Sequence, residues 1–182
     1  MAISVLLTAF AGLTLAFPID GKPGGDSTVT AAEVVEARVS ADHLDVFDQP
    51  SDSGYIVEGL KRGDRVWVRW KVPAPAGWLA IAPPPAVVCW IEEKAVEGPE
   101  DAGPSDHLAV STRTRVRAAE AVVRSGNPGA RLPGPPCQTL RQGDPVLLVD
   151  RPPLAFGGGS GGRWLAIAPP SDLSFFAPAD GI

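Results

Sequence analysis

The chain has 182 residues, of which 20 are Gly and 20 are Pro, so these two types are nearly twice as common as in ordinary chains. Because helix interiors tolerate neither residue well, this composition excludes a helical bundle. The 45% hydrophobic content, with five Trp, is too apolar for a wholly disordered chain. The net charge of −5 gives no general attraction for nucleic acid. We therefore expect a folded, loop-rich, all-β protein with no nucleic-acid partner.

The first segment of the chain, residues 1–16, contains no charged side chain. It is shorter than the ~20 apolar residues that a membrane-spanning helix needs. Its apolar run, with small residues before Phe17, is typical of a cleaved secretory signal peptide. An uncleaved anchor and a buried strand are the alternatives. The composition of residues 17–33, rich in Gly and Pro, predicts a flexible tether. The expected location is exported, either periplasmic or extracellular, with no membrane contact after cleavage.

Two segments of the chain repeat each other. Trp78–Pro84 recurs as Trp164–Pro170 with all seven residues identical, and Leu60–Val66 resembles Leu140–Val146. The offset is 80 residues for the second pair and 86 for the first. The additional residues fall in the Gly-Gly-Gly-Ser-Gly-Gly stretch at 157–162. Insertions between matched segments are typical of loops that join strands.

The repeats predict two domains. The first covers 34–95 and the second covers 108–182, joined by an acidic Pro/Gly linker at 96–107. Each domain is predicted to consist of several short strands. In the strand predicted over 66–72, residues that face the core alternate with residues that face outward. The prolines at 83–85 belong in a connecting turn, since they cannot donate to a strand ladder. Strands this short bury their apolar faces best when they close into a small barrel.

The order of motifs resembles that of the bacterial SH3-like domains. Ala121–Pro128 is similar to their first motif, Leu60–Val66 to the second, Gly77–Ile81 to the third and Cys89–Ile91 to the closing Gly-Trp-Val. Ser174-Phe175-Phe176 is a degraded counterpart of the last. The resemblance covers nearly all of 34–180. It implies two tandem SH3-like β-barrels and a non-enzymatic binding module for cell-wall peptidoglycan or an extended peptide.

The strand alternation predicts a binding surface on the first repeat. If Val66 and Val68 face the core, Trp67 faces outward beside Arg69. Exposed Trp next to a cation often marks recognition, and Tyr55 lies in a long loop where such barrels commonly hold ligands. Tyr55, Trp67 and Arg69 are therefore the candidate ligand-binding residues. The alternative is that Trp67 packs against the second repeat or the linker.

Structural roles are predicted for three other Trp residues and for a Gly-rich stretch that matches two functional motifs. Trp78, Trp90 and Trp164 lie in the shared motifs and are expected in the core. The stretch 157–162 fits both G-x-G-x-x-G and G-x-S-x-G, but a strand follows it where both motifs need a helix.

Neither an active site nor a metal site is predicted. The chain has two His and two Cys, without the spacing of a metal site or a catalytic signature. We expect no catalytic, cofactor or metal residues, and we expect Cys89 and Cys137 to stay unpaired because they lie in different repeats. The alternatives to a binding module are a scaffold that contacts another envelope protein and, more remotely, a Cys-dependent hydrolase.

Overall fold

A computed structural model of the chain describes residues 34–98, 112–127, 129, 131–155 and 162–182. The predicted signal peptide and tether, most of the predicted linker and the Gly-rich stretch lie outside these residues. Within them there are thirteen strands, no α-helix, and two short 3-10 turns at Glu93–Ala95 and Ala179–Gly181. The all-β prediction is confirmed. The strands are β1 Val35–Arg38, β2 His43–Phe47, β3 Ile56–Lys61, β4 Arg65–Val68, β5 Trp78–Ile81, β6 Cys89–Glu92, β7 Thr112–Arg115, β8 Glu120–Ser125, β9 Pro136–Arg141, β10 Pro145–Leu148, β11 Leu154–Ala155, β12 Arg163–Ile167 and β13 Phe175–Pro178.

The strands form two antiparallel sheets with matching strand orders. The first sheet runs β1-β4-β5-β13-β2-β3, and the second runs β7-β10-β12-β6-β8-β9, with β11 added beside β12. Each strand of the first repeat therefore has a counterpart in the second at the same place in the order. We refer to the first sheet with its loops as the first unit, and to the second as the second unit.

The last strand of each repeat lies in the sheet of the other repeat. β6 pairs with β12 and β8 of the second sheet, for example Trp90 with Ala166. β13 pairs with β5 and β2 of the first sheet, where Phe176 lies opposite both Ala80 and Phe47. The two repeats thus exchange equivalent strands within one chain. The predicted boundary follows the repeats, but neither repeat builds its sheet alone.

The crossing is made by two proline-rich loops. The loops at 82–88 and 168–174 carry β6 and β13 to the opposite sheets. Each makes the same turn, since Val87 donates to the Pro84 carbonyl at 3.0 Å and Leu173 donates to the Pro170 carbonyl at 3.0 Å. Successive prolines favour extended backbone and disfavour a tight reversal. The repeated seven-residue motif therefore combines a buried strand with the start of a stiff crossover.

The larger of two hydrophobic clusters among the described residues runs through both units, and Trp90 and Trp164 belong to the smaller one. The buried members of the larger cluster come from both sheets and include both exchanged strands. The pairings recorded among the described strands end at β1 and β3 in the first sheet and at β7 and β9 in the second, so the predicted closure into two barrels is not confirmed. In the same described residues, no helix is long and apolar enough to cross a membrane.

The tryptophans divide between core and surface. Trp90 and Trp164 are buried as predicted, and Trp78 is half-buried with its ring edge against Phe47 at a centroid distance of 5.4 Å. Trp70, in contrast, is 59% exposed. The alternation predicted over 66–72 stops early, because β4 ends at Val68 and a turn follows.

Candidate functional site

Trp67 lies on the outer face of the first sheet. Its strand, β4, pairs with β1 and places Trp67 opposite Glu36. Val66 is buried and Val68 packs against the core, so the residue between them must point away from it. Trp67 is 37% exposed, and the prediction that it faces outward is confirmed.

Trp67 lines a groove of about 390 Å³ between this outer face and the first crossover loop. Glu58 of β3 and Asp64 of the following turn form one side, and Pro84 and Pro85 form the other. A tight turn at 62–64 joins β3 to β4, which do not pair with each other in the sheet, and residues of both strands line the groove. The strand exchange therefore shapes the site, because the proline wall belongs to the loop that takes β6 away. We call this cavity the Trp67 groove.

The turn beneath the groove is fixed by the repeated Leu-x-x-Gly-Asp motif. Gly63 has a φ of 90°, a conformation that glycine adopts without strain. The Asp64 carboxylate accepts the Lys61 backbone N–H at 2.8 Å. Arg65 also lines the groove, and its guanidinium forms an ion pair with Glu36 at 3.4 Å. The turn therefore holds a carboxylate beside Trp67, while the neighbouring cation already has an acidic partner.

Arg69 is not on the exposed face, so that prediction is wrong. The residue is only 8% exposed, and its guanidinium donates to the backbone carbonyls of Ser171 and Asp172. Burial lowers the pKa of Arg69, and the nearby Asp172 partly opposes this shift. Arg69 follows the end of β4, where the chain turns inward, and it anchors the loop that leads to β13. Its contacts therefore hold the exchanged strand and lie outside the Trp67 groove.

Tyr55 lies between the two units, away from the Trp67 groove. It is half-buried, and its ring packs so closely on Gly134 that a Cβ there would lie 2.9 Å from Tyr55 Cε1. Burial raises the pKa of Tyr55, a hydrogen bond from the Asn127 backbone lowers it, and the charge of Asp48 raises it further. Of the three predicted residues, only Trp67 lines the groove.

The equivalent place in the second unit is filled by a hydrogen-bonded pair. Leu147 is the counterpart of Trp67, and Gln138 that of Glu58. Gln138 Nε2 donates to both carboxylate oxygens of Asp172 at 3.0 Å. Asp172 corresponds to Ala86 in the first unit, which lines the Trp67 groove and offers no polar partner. The two repeats therefore differ at this place.

Each unit also carries a second cleft at equivalent positions. In the second unit it has a volume of about 610 Å³, and Arg124 lies 5.5 Å above the ring of Trp164. Arg124 also donates to the Gly134 carbonyl, and Lys94 binds Glu92 at 2.8 Å. In the first unit the cleft has a volume of about 320 Å³. Because these cations already have partners within the chain, the clefts are weaker candidates than the Trp67 groove.

The two thiols are neighbours in the second unit. Both are free, and Cys137 Sγ donates to the Val123 carbonyl at 3.5 Å. Interaction with the neighbouring Cys137 and burial raise the pKa of Cys89, whereas interaction with Cys89 lowers the pKa of Cys137. The expectation that separate repeats keep them apart is wrong, because β6 brings Cys89 into the second sheet. His43, the described histidine, binds Asp45 in the first sheet.

The groove's remaining residues were missed by the sequence reasoning. A comparison of the two repeats could have found them, since Glu58 is at the position of Gln138 and Ala86 is at the position of Asp172. No described group of three or more His, Cys, Asp or Glu is arranged to hold a metal ion. Comparisons of the chain with family models, with curated proteins and with solved structures give no match.

Proposed function

We propose that this protein is an exported, non-enzymatic binding protein built from two SH3-like units, and that its first unit binds an extended peptide in the Trp67 groove. The observation that carries the proposal is the exposed Trp67 beside a proline wall. An exposed indole offers a large, rigid contact area at low entropic cost. The all-β architecture and the order of the sequence motifs support the SH3-like assignment.

We favour an extended peptide over a bulky glycan as the ligand. The cavity of about 390 Å³ is bounded by strand residues on one side and a proline segment on the other. Grooves lined by aromatic side chains commonly receive extended peptides. The cell-wall ligand suggested by the family resemblance is the competing outcome of the test.

The thiols do not favour the hydrolase alternative. A cysteine nucleophile needs an accessible thiolate next to a base. Cys89 is fully buried with a raised pKa. Cys137 is half-buried with a lowered pKa, but the described histidine, His43, is bound to Asp45 in the other sheet. These features support a binding role over covalent catalysis.

The test compares Trp67→Leu with Trp70→Ala in the full chain. Leu occupies the equivalent position of the second unit, so the first variant should fold normally. Trp70 is an exposed Trp outside the groove and serves as the matched control. The probes are an array of immobilised blocked decapeptides and purified insoluble cell wall.

We expect the unmodified chain to bind peptides of the array. Trp67→Leu should weaken this affinity about thirtyfold, as loss of a central aromatic anchor typically does, and Trp70→Ala should change it by no more than about twofold. Equal binding by Trp67→Leu and the unmodified chain would refute the site. Retention on cell wall without peptide binding would replace the peptide by the wall polymer as the ligand.

A further inference from the structure

The Trp67 groove contains an acceptor without a donor. Glu58 is half-buried, and its Oε1 atom accepts the backbone N–H of Gly59 at 3.0 Å. The other oxygen, Oε2, is buried and has no hydrogen-bond partner among the described residues. A buried carboxylate oxygen without a donor is costly, so natural proteins retain one chiefly where something else supplies the donor.

The second unit fills the equivalent place with a polar pair. There Gln138, at the position of Glu58, donates to Asp172, at the position of Ala86. The Gln138 amide N–H group and the Asp172 carboxylate thus pair across the gap between β9 and the crossover loop, whereas the neutral Gln138 Oε1 is buried without a partner among the described residues. In the first unit the strand side carries the Glu58 carboxylate, and the loop side carries Ala86, which has no polar side chain. A donor from outside the chain would restore the missing partner.

The charges around the groove determine what kind of donor fits. Glu58 and Asp64 both line it, and Arg65 is held by Glu36 at 3.4 Å. A cation near Trp67 would be attracted by the two carboxylates and by the face of the indole ring. A neutral donor would gain only the hydrogen bond. The charge complementarity therefore favours a cationic donor.

We propose that the Trp67 groove recognises a cationic side chain, an ammonium or a guanidinium, within the extended peptide. This inference rests on the proposed function and names the residue class that the same groove selects. The cation pairs with the Glu58 carboxylate, its aliphatic stem lies along Trp67, and the peptide backbone follows the wall formed by Pro84 and Pro85. The second unit lacks this selectivity because Gln138 and Asp172 occupy the equivalent place.

The experiment uses the full chain and two pairs of blocked pentapeptides. One pair has a central arginine or its uncharged analogue citrulline, and the other has lysine or acetyl-lysine. Binding is followed by the indole N–H signals in NMR, with the Trp67 signal assigned from its loss in Trp67→Leu. The variants are Glu58→Gln, which copies the residue of the second unit, and Asp52→Asn, an exposed acid of the same unit outside the groove.

We expect each cationic peptide to bind at least about tenfold more tightly than its neutral twin, as a charge-assisted hydrogen bond implies. Glu58→Gln should reduce this ratio to within about twofold, whereas Asp52→Asn should keep it. The double variant Glu58→Gln with Ala86→Asp reproduces the polar pair of the second unit and should abolish binding of all four peptides.

Two unfavourable results have different meanings. If Trp67-dependent binding occurs but the charged and neutral peptides bind equally, the cation inference is overturned and the peptide-binding function stands. If none of the four peptides perturbs the Trp67 signal at millimolar concentration, the inference is again overturned. The decapeptide array then decides the proposed function separately, because it samples sequences without a cation.

Discussion

A cut between the repeats would test the strand exchange. We insert a protease recognition sequence between Gly98 and Thr112, cleave the native protein, and ask whether the two fragments separate. If each repeat built its own sheet, they would part as two small domains. In the exchanged arrangement each fragment supplies a central strand to the other, so cleavage of the chain should leave the fold joined.

The structure gives the strength of this association. The exchanged strands bury Trp90, Ile91 and Phe175 almost completely, and burial of such side chains contributes about 1.5–3 kcal/mol each. Backbone hydrogen bonds along both edges of each strand add roughly 0.5–1.5 kcal/mol apiece. Lost translational and rotational freedom offsets about 4 kcal/mol or more of this gain. We therefore expect a dissociation constant of about 1 μM or lower for the nicked protein.

Size-exclusion chromatography with light scattering measures the result. The nicked protein loaded at about 10 μM should elute at the mass of the intact chain, and the fragments should separate only in denaturant. The uncut protein with the same insertion is the control. Two folded species at fragment mass under native conditions would show that each repeat holds its own last strand, and the reasoning would fail.

Three further outcomes follow from burial and from the shifted pKa values. Phe175→Ala should lower the free energy of unfolding by about 3–5 kcal/mol in a urea titration, because it empties a fully buried site in the first sheet; a change below about 1 kcal/mol would contradict the placement of β13. Tyr55, the single Tyr, should ionise above its ordinary pKa of 10.0 in an absorbance titration. Because its pKa is raised in the folded state, the protein should lose stability as the pH rises above the pKa that Tyr55 has in the unfolded chain. A midpoint at or below 10.0 would contradict its burial between the units. Alkylation followed by mass spectrometry should label Cys137 before Cys89, since only the former has a lowered pKa and partial exposure, and equal labelling in the native protein would contradict the buried pair.

Much of the fold could be predicted because local sequence determines strands and turns. The alternation around Trp67 gave its outward direction, and the Leu-x-x-Gly-Asp motif marked the turn in which Gly63 has a positive φ. The repeat offsets of 80 and 86 residues matched strands that occupy equivalent places in the two sheets. These features depend on residues that are close together in the chain, so they can be predicted from the sequence.

The partner of each strand could not be predicted in the same way. The residues of β6 suit a central strand in either sheet, because the two sheets have the same order and equivalent registers. This ambiguity explains the errors at Arg69 and at the cysteines. Arg69 is buried because a loop from the other repeat covers it, and Cys89 meets Cys137 because its strand crosses over. Both contacts join residues that are distant in sequence.

The central place of β13 in the first sheet has a consequence for synthesis. During translation β1 to β5 leave the ribosome long before Phe175 does. Until β13 has been synthesised, it cannot fill its position between β5 and β2. Val46 and Ile81, both fully buried in the finished protein, would meanwhile border an unfilled edge. Exposed edges of this kind pair readily with other chains. Until β13 is complete, this position in the nascent first half is therefore open to its own β6, the equivalent strand that precedes it in the chain.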